Sequence, residues 1–469
     1  MVINQKKLER QLGIVDKWIK ETGAKGTFEG CTGFGKTFTA VLAIKRFRKK
    51  YAQEPIIVVV PSVDLKFQWE QVLERESIEF VSVWVVNTYI KYKHQASLLI
   101  LDEVHRFLSD EFYKLFENTH YQLLLCLTAT LERLDGKHDL LDEIAPVFDV
   151  VTMEEAKREG YVSDFTVYNL GLEFNEEDQE EYKKYHDIAN NNFAYFHRDF
   201  DLAMMMARSG RAVVTTYDER RIAHRKTVEE LRHEWAKSQG WDGQPFVENA
   251  TDTATNYYHP KTVMLKALQW LKGVRGRKTL IYKASAKLNV IEELIWKFPD
   301  KKVIIFSEDA DFADKVKERL GDECRSYHTK LATEVRKIRT EKILKSGEVK
   351  VTYTEKKFGL TRLRKEIIED FKNNKFKILS VVRALDEGFD DEDVDMIIMA
   401  SYNSSKRQNV QRTGRGIRAK EGKHAIVINL YMKNSQEENW LKSKQQSTSN
   451  ILWAKSIADI RDVSSFSLT

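Results

Sequence analysis

The sequence has few cysteines and no long apolar run. Its three cysteines, Cys31, Cys126 and Cys324, are odd in number and lack the spacing of metal ligands, which argues against a disulfide framework and against a zinc site. Residues 1–10 are polar and charged, and apolar runs such as Ile56–Val60 are far shorter than a bilayer requires. We therefore expect a soluble, cytoplasmic protein that does not bind a membrane.

The sequence also lacks a strong net charge. Its 76 Lys and Arg residues nearly balance 71 Asp and Glu residues, which leaves a formal net charge of +5. Because this excess is small, a polyanionic partner would have to be held by local basic patches rather than by the charge of the whole chain. The length of 469 residues and the hydrophobic fraction of 42% are sufficient for two or three domains with their own cores.

Short apolar runs occur in two series, one from Gly26 to about Asp149 and one that begins near Lys302. Fully apolar runs separated by helical stretches are typical of parallel sheets that helices cover on both faces. The sequence therefore predicts an α/β fold with two parallel-sheet domains in tandem. The runs are Ile56–Val60, Val81–Val86, Leu98–Leu101, Leu123–Leu127, Val303–Phe306, Ile378–Val382, Val394–Met399 and Ala425–Leu430.

Two regions depart from this pattern. Residues from about Asn175 to Leu271 form long charged and aromatic stretches, which favour a helical insert or linker. Residues 341–377 carry eleven Lys or Arg against six Asp or Glu, and Val349, Val351 and Tyr353 alternate with polar residues there, as in a hairpin arm. A solvated surface loop is the alternative. The predicted domains are residues 1–172, the insert 173–277, and residues 278–469 with the basic insertion near 341–377.

Residues Gly30–Thr37 read GCTGFGKT and fit the phosphate-loop pattern G-x-x-x-x-G-K-[ST], between a short strand-like run and a helical stretch. Glycines such as Gly33 and Gly35 let the backbone N–H groups point at phosphates near a helix N-terminus. Lys36 would reach the β and γ phosphates, and the Thr37 hydroxyl would hold Mg²⁺. The alternative, a Gly-rich turn with a chance lysine, is disfavoured by the flanking strand and helix.

An acidic pair follows the apolar run Leu98–Leu101. Asp102, at the end of a buried strand, could orient Mg²⁺ beside the phosphate loop, while Glu103 could polarise the attacking water. His105 would then relay the state of the ATP site. An acidic pair alone is more often a solvated loop, and a lone His is more often structural. The phosphate loop upstream favours the catalytic interpretation.

The second series contains arginines with a spacing suited to phosphate transfer. Arg415 and Arg418 are three residues apart and would share one face of a helix. Such a pair could act as arginine fingers on the transferred phosphate, so that ATP bridges two domains. A basic surface helix is the alternative.

At this point the chain resembles a superfamily-two helicase of the DExH type, with the family's motifs in order over almost its full length. The resemblance implies two RecA-like domains, use of ATP and Mg²⁺, and nucleic-acid-stimulated hydrolysis. Two positions depart from the usual pattern, Cys31 in the phosphate loop and Leu131 after Thr-Ala-Thr. Neither removes a phosphate, metal or base group. The matching segments are Gln11 with Trp18, Pro61–Leu65 with Gln68 and Trp69, Asn87–Tyr89, Thr128–Gly136, Val303–Ser307, Arg383–Asp390 and Gln411–Arg418.

The resemblance also assigns roles. It makes Gln11 an adenine-reading residue, Gln411 a residue that lines the attacking water, and Gly388 with Asp390 contacts to the sugar or the domain seam. It supports Asp102 and Thr37 as metal ligands, Glu103 as the water-orienting base, and Arg415 and Arg418 as fingers.

For the nucleic acid, the resemblance places Ser62, Thr88 and Thr130 on or beside the track, although helix capping explains any one of them as well. Gln68-Trp69 and the stretch that follows Thr-Ala-Thr are more similar to the compact phage and DNA-repair branch than to RNA helicases. We expect a monomer, in the host cytoplasm if of phage origin, that unwinds or branch-migrates forked or junction DNA in repair or recombination. An RNA helicase and an ATP-gated clamp without strand separation remain the alternatives.

Overall fold

A computed structural model provides the structure of the chain. The residues it describes are 5–108, 112–129, 131, 141–217, 223–247, 254–343, 349–382, 393–402, 424–444 and 451–462. The helices are α1 (Gln5–Glu21), α2 (Lys36–Arg48), α3 (Val63–Arg75), α4 (Val86–Tyr89), α5 (Lys114–Asn118), α6 (Met153–Arg158), α7 (Glu176–Tyr195), α8 (Phe200–Met206), α9 (Val228–Ser238), α10 (Ala254–Tyr257), α11 (Pro260–Lys283), α12 (Ser285–Lys297), α13 (Ala310–Leu320), α14 (Leu360–Lys372) and α15 (Gln436–Lys444). The strands are β1 (Lys25–Gly30), β2 (Ile56–Val60), β3 (Val81–Val85), β4 (His94–Asp102), β5 (Thr119–Thr128), β6 (Val147–Val151), β7 (Asp164–Leu172), β8 (Val213–Tyr217), β9 (Ala223–Thr227), β10 (Val303–Ser307), β11 (Cys324–Tyr327), β12 (Glu334–Ile343), β13 (Val349–Phe358), β14 (Ile378–Val382), β15 (Met396–Met399), β16 (His424–Met432) and β17 (Ile451–Ala454).

The first sheet has six parallel strands in the order β3-β2-β4-β5-β1-β6. Strand β2 is apolar throughout, and β4 and β5 have apolar runs in their C-terminal halves, as expected where both faces of a sheet are covered. In β2, Ile56, Val58 and Val60 pack with α1, α2 and α3, while Ile57 and Val59 pack into a second cluster on the opposite face. The carboxyl ends of β1 and β4 meet at one edge, which is where ligands bind in open α/β sheets.

Residues 172–286 form a compact unit of their own that is mainly helical. Helices α7 and α11 pack closely because α11 has glycine at the contact: a Cβ on Gly273 would lie 2.6 Å from the backbone N of Ala189. Tyr195, Phe196 and Trp270 are buried in the core of this unit. Strands β8 and β9 add a short antiparallel hairpin.

The second sheet has the order β11-β14-β10-β15-β16-β7-β17. Strands β11, β14, β10, β15 and β16 are parallel neighbours, and β17 is parallel to β7. Together with the first sheet, this confirms the predicted α/β fold with two parallel-sheet domains. Strand β7 precedes the helical unit in the chain, yet Asn169 in β7 accepts a 2.8 Å hydrogen bond from Asn429 in β16.

This placement bears on the predicted domain limits. The predicted first domain, residues 1–172, includes β7, whereas the structure places this strand in the second sheet. Its partner strand is more than 250 residues away in sequence, so no local pattern indicates the pairing. The limits 1–172, 173–277 and 278–469 remain predictions.

Among the described residues, none of the helices combines the length and apolar character of a membrane span.

Part of the predicted basic insertion forms an antiparallel hairpin. Strands β12 and β13 pair over ten residues, from Glu334 opposite Phe358 to Ile343 opposite Val349, and join neither large sheet. The hairpin starts before residue 341, and residues 360–372 that follow it form helix α14 instead of a further extended arm. Tyr353 is 66% exposed, in keeping with the alternation that predicted an arm.

Candidate active site

The phosphate loop connects β1, which ends at Gly30, with α2, which begins at Lys36. Gly33 and Gly35 have φ values of 84° and 95°, a left-handed conformation that side chains with a Cβ rarely adopt. A Cβ at Gly35 would also lie 2.8 Å from Nε2 of Gln11. The loop therefore requires glycine at this position. It leads directly into the N-terminus of α2, where the helix would favour an anion. These features fit a bound triphosphate.

Gln11 lies behind this loop. Its side chain is buried, and Nε2 donates hydrogen bonds to the carbonyl oxygens of Phe34 at 3.0 Å and Gly35 at 3.4 Å. Nearby, Nζ of Lys7 donates to the carbonyl oxygens of Gly33 and Tyr161 at 2.8 and 2.9 Å. Gln11 thus supports the loop in this structure, and its predicted role in reading adenine remains a prediction.

The acidic pair lies at the carboxyl end of β4. Asp102 is only 3% exposed and is the last residue of the strand, while Glu103 turns the chain in a left-handed conformation with φ of 56°. Nζ of Lys36 lies 3.9 Å from Oε1 of Glu103. The structure therefore brings the predicted phosphate-binding lysine and the predicted base together. A carboxylate and the Thr37 hydroxyl in the first turn of α2 are oxygen donors of the kind Mg²⁺ prefers beside phosphates.

The electrostatics of this pair follow from burial. Removal from water, followed by the negative charge of Glu103, raises the pKa of Asp102 to about 6. The indole N–H of Trp69 and the charge of Lys36 act in the opposite direction. A cation bound at this carboxylate would favour its charged form.

His105 connects the acidic pair to the next strand. It is fully buried in a 3₁₀ turn, Val104–Phe107, and its Nδ1 lies 2.8 Å from Oγ1 of Thr128 and 3.4 Å from Oε2 of Glu103. Thr128 ends β5 and begins the Thr-Ala-Thr segment. The contacts place His105 between the site and this segment, the position expected of a relay.

Trp69 was not predicted to belong to the site. Its side chain is fully buried, and Nε1 donates a 2.8 Å hydrogen bond to Oδ2 of Asp102. The two residues are 33 positions apart in the chain, and no spacing pattern links them. The one signal available in the sequence was a tryptophan, whose indole N–H can only donate a hydrogen bond, in the helix that follows β2, the strand next to β4.

The two departures from the family pattern are accommodated by packing. Cys31 is buried in the cluster on the α1–α3 side of the sheet, and burial raises the pKa of its thiol to about 11. Leu131 is buried in the cluster on the opposite face. Both residues therefore act as core side chains.

Ser62 and Thr88, predicted beside the nucleic-acid track, lie in the first domain. Ser62 caps α3, since its Oγ accepts a 3.3 Å hydrogen bond from the backbone N of Leu65, while Thr88 is exposed on α4. The remaining predicted site residues lie outside the part of the chain that the structure describes, and they are Thr130, Gly388, Asp390, Gln411, Arg415 and Arg418.

Comparisons with known proteins match this organisation. Residues 5–97 match the family described as type III restriction enzyme, res subunit, and residues 340–420 match the helicase conserved C-terminal domain. The chain is 21% identical over 455 residues to a DNA 3'-5' translocase XPB2 of Sulfurisphaera tokodaii, covering 91% of this chain and 82% of that protein.

Two further similarities are of different kinds, one over a short segment and one in the fold alone. A segment of 77 residues, 16% of this chain, is 39% identical to 6% of the ATP-dependent DNA helicase MPH1 of Candida albicans. The fold is shared with S. cerevisiae Dbp5 bound to RNA and ADP BeF3, with a TM-score of 0.52 and 12% identity over 95% of this chain and 89% of that one. With the phosphate loop and acidic pair in place, the two matched family models and the similarity to the DNA translocase support a superfamily-two helicase that hydrolyses ATP.

Proposed function

We propose that the protein is an ATP-dependent DNA helicase or translocase that unwinds or branch-migrates forked or junction DNA. One observation carries the hydrolytic part: Lys36, Asp102 and Glu103 lie together at the carboxyl edge of the first sheet, beside a glycine loop shaped for phosphates. Similarity to a DNA translocase over 91% of the chain favours DNA over RNA as the track. We place the chain with the DExH-type enzymes of the compact phage and DNA-repair branch.

In this proposal the loop holds the triphosphate through backbone N–H groups, and Lys36 binds its β and γ phosphates. Thr37 and Asp102 hold Mg²⁺, which when bound neutralises charge on the phosphates. Glu103 accepts a hydrogen bond from the attacking water and orients it toward the γ-phosphate. The 3.9 Å separation of Lys36 and Glu103 keeps the phosphate-binding and water-binding groups within one small pocket.

The second domain would contribute the remaining groups. Arg415 and Arg418 stabilise the charge that develops on the transferred phosphate, Gln411 lines the water, and Gly388 with Asp390 contacts the sugar or the domain seam. Hydrolysis would then remove a bridge between the two sheets and allow them to move.

The DNA track would run over both domains, held mainly through phosphates, as a motor indifferent to sequence requires. Thr88 is exposed and available for such a contact, Ser62 marks the N-terminus of α3, and Thr130 would lie close by. Binding should therefore weaken steeply with salt.

The β12–β13 hairpin is a second contact in this proposal. Val335 and Tyr353 are 62% and 66% exposed, and Lys356 and Lys357 are exposed beside them. Apolar and aromatic side chains next to lysines suit a fork, where unpaired bases can stack and phosphates are close. We place this hairpin at the junction of duplex and single strands.

ATPase assays with matched lengths of single-stranded DNA, duplex DNA, forked DNA, four-way junctions and RNA test the proposal. We expect the largest stimulation by forked or junction DNA, with displacement of a labelled strand in the same reactions. Strongest stimulation by RNA would contradict the choice of DNA. Stimulation without strand displacement, branch migration or movement along duplex would favour an ATP-gated clamp instead.

A further inference from the structure

Helix α3 has an exposed outer surface and a buried inner one. It begins directly after β2 ends at Val60, with Ser62 as its cap. At its start Val63 is 67% exposed, and one turn later Phe67 is 41% exposed, while Trp69 has no exposed surface. One side of α3 therefore lies at the surface where the DNA strand is proposed to bind, and its other side packs in the core below the ATP site.

On its buried side, α3 contacts Asp102 through a hydrogen bond from Trp69. Oδ2 of Asp102 accepts the 2.8 Å hydrogen bond from Nε1 of Trp69, and Oδ1 accepts a 3.1 Å hydrogen bond from the backbone N of Glu103. Both carboxylate oxygens thus have a donor, which sets the plane of the carboxylate. A rigid indole with a single donor transmits a displacement of its helix to that plane better than a flexible side chain would.

The outer surface of α3 also has a contact. Nζ of Lys365, in α14, lies 4.8 Å from the centre of the Phe67 ring. Helix α14 directly follows the β12–β13 hairpin, with one residue between them. The side chains of α3 consequently touch Asp102 on one side and an element next to the hairpin on the other.

We propose that Trp69 is a positioning residue that couples α3 to the metal-binding carboxylate. Movement of α3, when its N-terminus binds a DNA strand or when α14 shifts against Phe67, reorients Asp102 through the indole N–H and so changes how well Mg²⁺ and nucleotide are held. This inference rests on the proposed function for the identity of the track. It adds the path by which the track reaches the ATP site.

The test compares Trp69→Phe with Trp18→Phe. Both tryptophans are buried in the same core cluster, and Nε1 of Trp18 donates a 3.1 Å hydrogen bond to the carbonyl oxygen of Leu124, so each variant loses one indole hydrogen bond and little volume. The readouts are binding of a fluorescent ADP analogue at increasing Mg²⁺ concentration, the ratio of DNA-stimulated to basal ATPase, and the melting temperature.

We expect Trp69→Phe to require about tenfold more Mg²⁺ for half-maximal binding of the ADP analogue, in line with the effect of removing a group that orients a metal ligand. The ratio of DNA-stimulated to basal ATPase should also fall about tenfold in Trp69→Phe. Trp18→Phe should match the wild type in its Mg²⁺ requirement and in this ratio, and it should melt at a temperature similar to that of Trp69→Phe. Equal Mg²⁺ requirement and equal stimulation in Trp69→Phe and the wild type would overturn the proposal, as would the same losses in Trp18→Phe.

If Trp69→Phe does not melt cooperatively, Phe67→Ala replaces it, because this side chain is partly exposed and its loss leaves the core intact. Reduced DNA stimulation with an unchanged basal rate supports the coupling, and unchanged stimulation contradicts it. Wild-type protein that no nucleic acid stimulates would instead contradict the proposed function, so the two failures are distinguishable.

Discussion

Nζ of Lys36 lies 3.9 Å from Oε1 of Glu103, although strands β2, β3 and β4 lie between the two residues in the chain. They meet because β1 and β4 are parallel and end at the same edge of one sheet. Because the lysine faces a carboxylate, a bound triphosphate would share its ammonium group with Glu103.

Replacing Lys36 with alanine should weaken nucleotide binding and lower turnover together. The change removes the positive charge that the phosphates need and leaves Glu103 facing them, which adds repulsion. We expect affinity for a fluorescent ADP analogue to fall at least about tenfold, as for loss of a charge-assisted hydrogen bond. Titration by fluorescence anisotropy measures this. Affinity equal to that of the wild type would show that the loop does not bind the phosphates through Lys36.

Glu103→Gln should separate binding from hydrolysis. The amide keeps the shape of the side chain but cannot act as a base, so turnover should fall by about 10²–10⁴-fold. Nucleotide affinity should be retained or increase, because one negative charge next to Lys36 and the phosphates is removed. The same change removes a charge that raises the pKa of Asp102. Single-turnover hydrolysis and a binding titration on one preparation check both parts, and near-normal turnover would exclude Glu103 as the base.

Arg415→Ala tests the second domain's contribution. A finger acts on the charge of the transition state, so hydrolysis should slow by about 10³-fold or more with a modest loss of affinity. Arg158→Ala is a control, since Arg158 is an exposed arginine whose side chain is 72% accessible. Steady-state kinetics with saturating DNA measure the effect. A loss of affinity as large as the loss of rate would indicate an ordinary phosphate contact.

Removing the hairpin should uncouple ATP use from strand separation. Replacing residues 335–357 with a short Gly-Ser linker joins positions that flank the paired ends, since Glu334 lies opposite Phe358. DNA-stimulated ATPase should persist while unwinding of forked DNA is lost. A milder test is Lys356→Glu with Lys357→Glu, compared with Lys49→Glu and Lys50→Glu, an equal charge change at two exposed lysines of the first domain. Unwinding that survives removal of the hairpin would contradict its placement at the fork.

A buried ion pair between helices α12 and α15 predicts a stability effect. Lys287 and Glu437 are both fully buried at 2.8 Å, and Glu437 also accepts hydrogen bonds from the backbone N of Tyr402 and Met432 at 2.8 and 3.0 Å. Lys287→Met leaves a buried carboxylate without its partner and should lower the free energy of unfolding by about 3–5 kcal/mol.

Two comparisons sharpen that test. Adding Glu437→Gln to Lys287→Met should recover part of the loss, because the unpaired charge is gone. Lys442→Met breaks an exposed pair with Glu438 on α15 and should cost no more than about 0.5 kcal/mol. Denaturant unfolding of the four proteins gives the values. Equal stability of Lys287→Met and the wild type would mean that the pair contributes nothing net.

The groups proposed to act on phosphates are predicted from local signals. The glycines, Lys36 and Thr37 lie within one eight-residue loop, and Asp102 with Glu103 directly follows a buried apolar strand. Fully apolar runs such as that of β2 likewise indicated a sheet covered on both faces. Fold class and the chemistry of the ATP site therefore follow from short segments.

Other features depend on contacts between distant residues. Gln11 supports the phosphate loop, β7 joins the second sheet, and Trp69 donates to Asp102 across 33 positions. No periodicity or motif specifies such pairs, because hydrogen-bond partners of a buried side chain are decided by how helices pack on a sheet. The sequence alone determined the two α/β domains and the glycine loop on which the proposed phosphate chemistry rests. The tertiary structure alone decided which buried donors orient the acidic pair, since that depends on packing between separate elements.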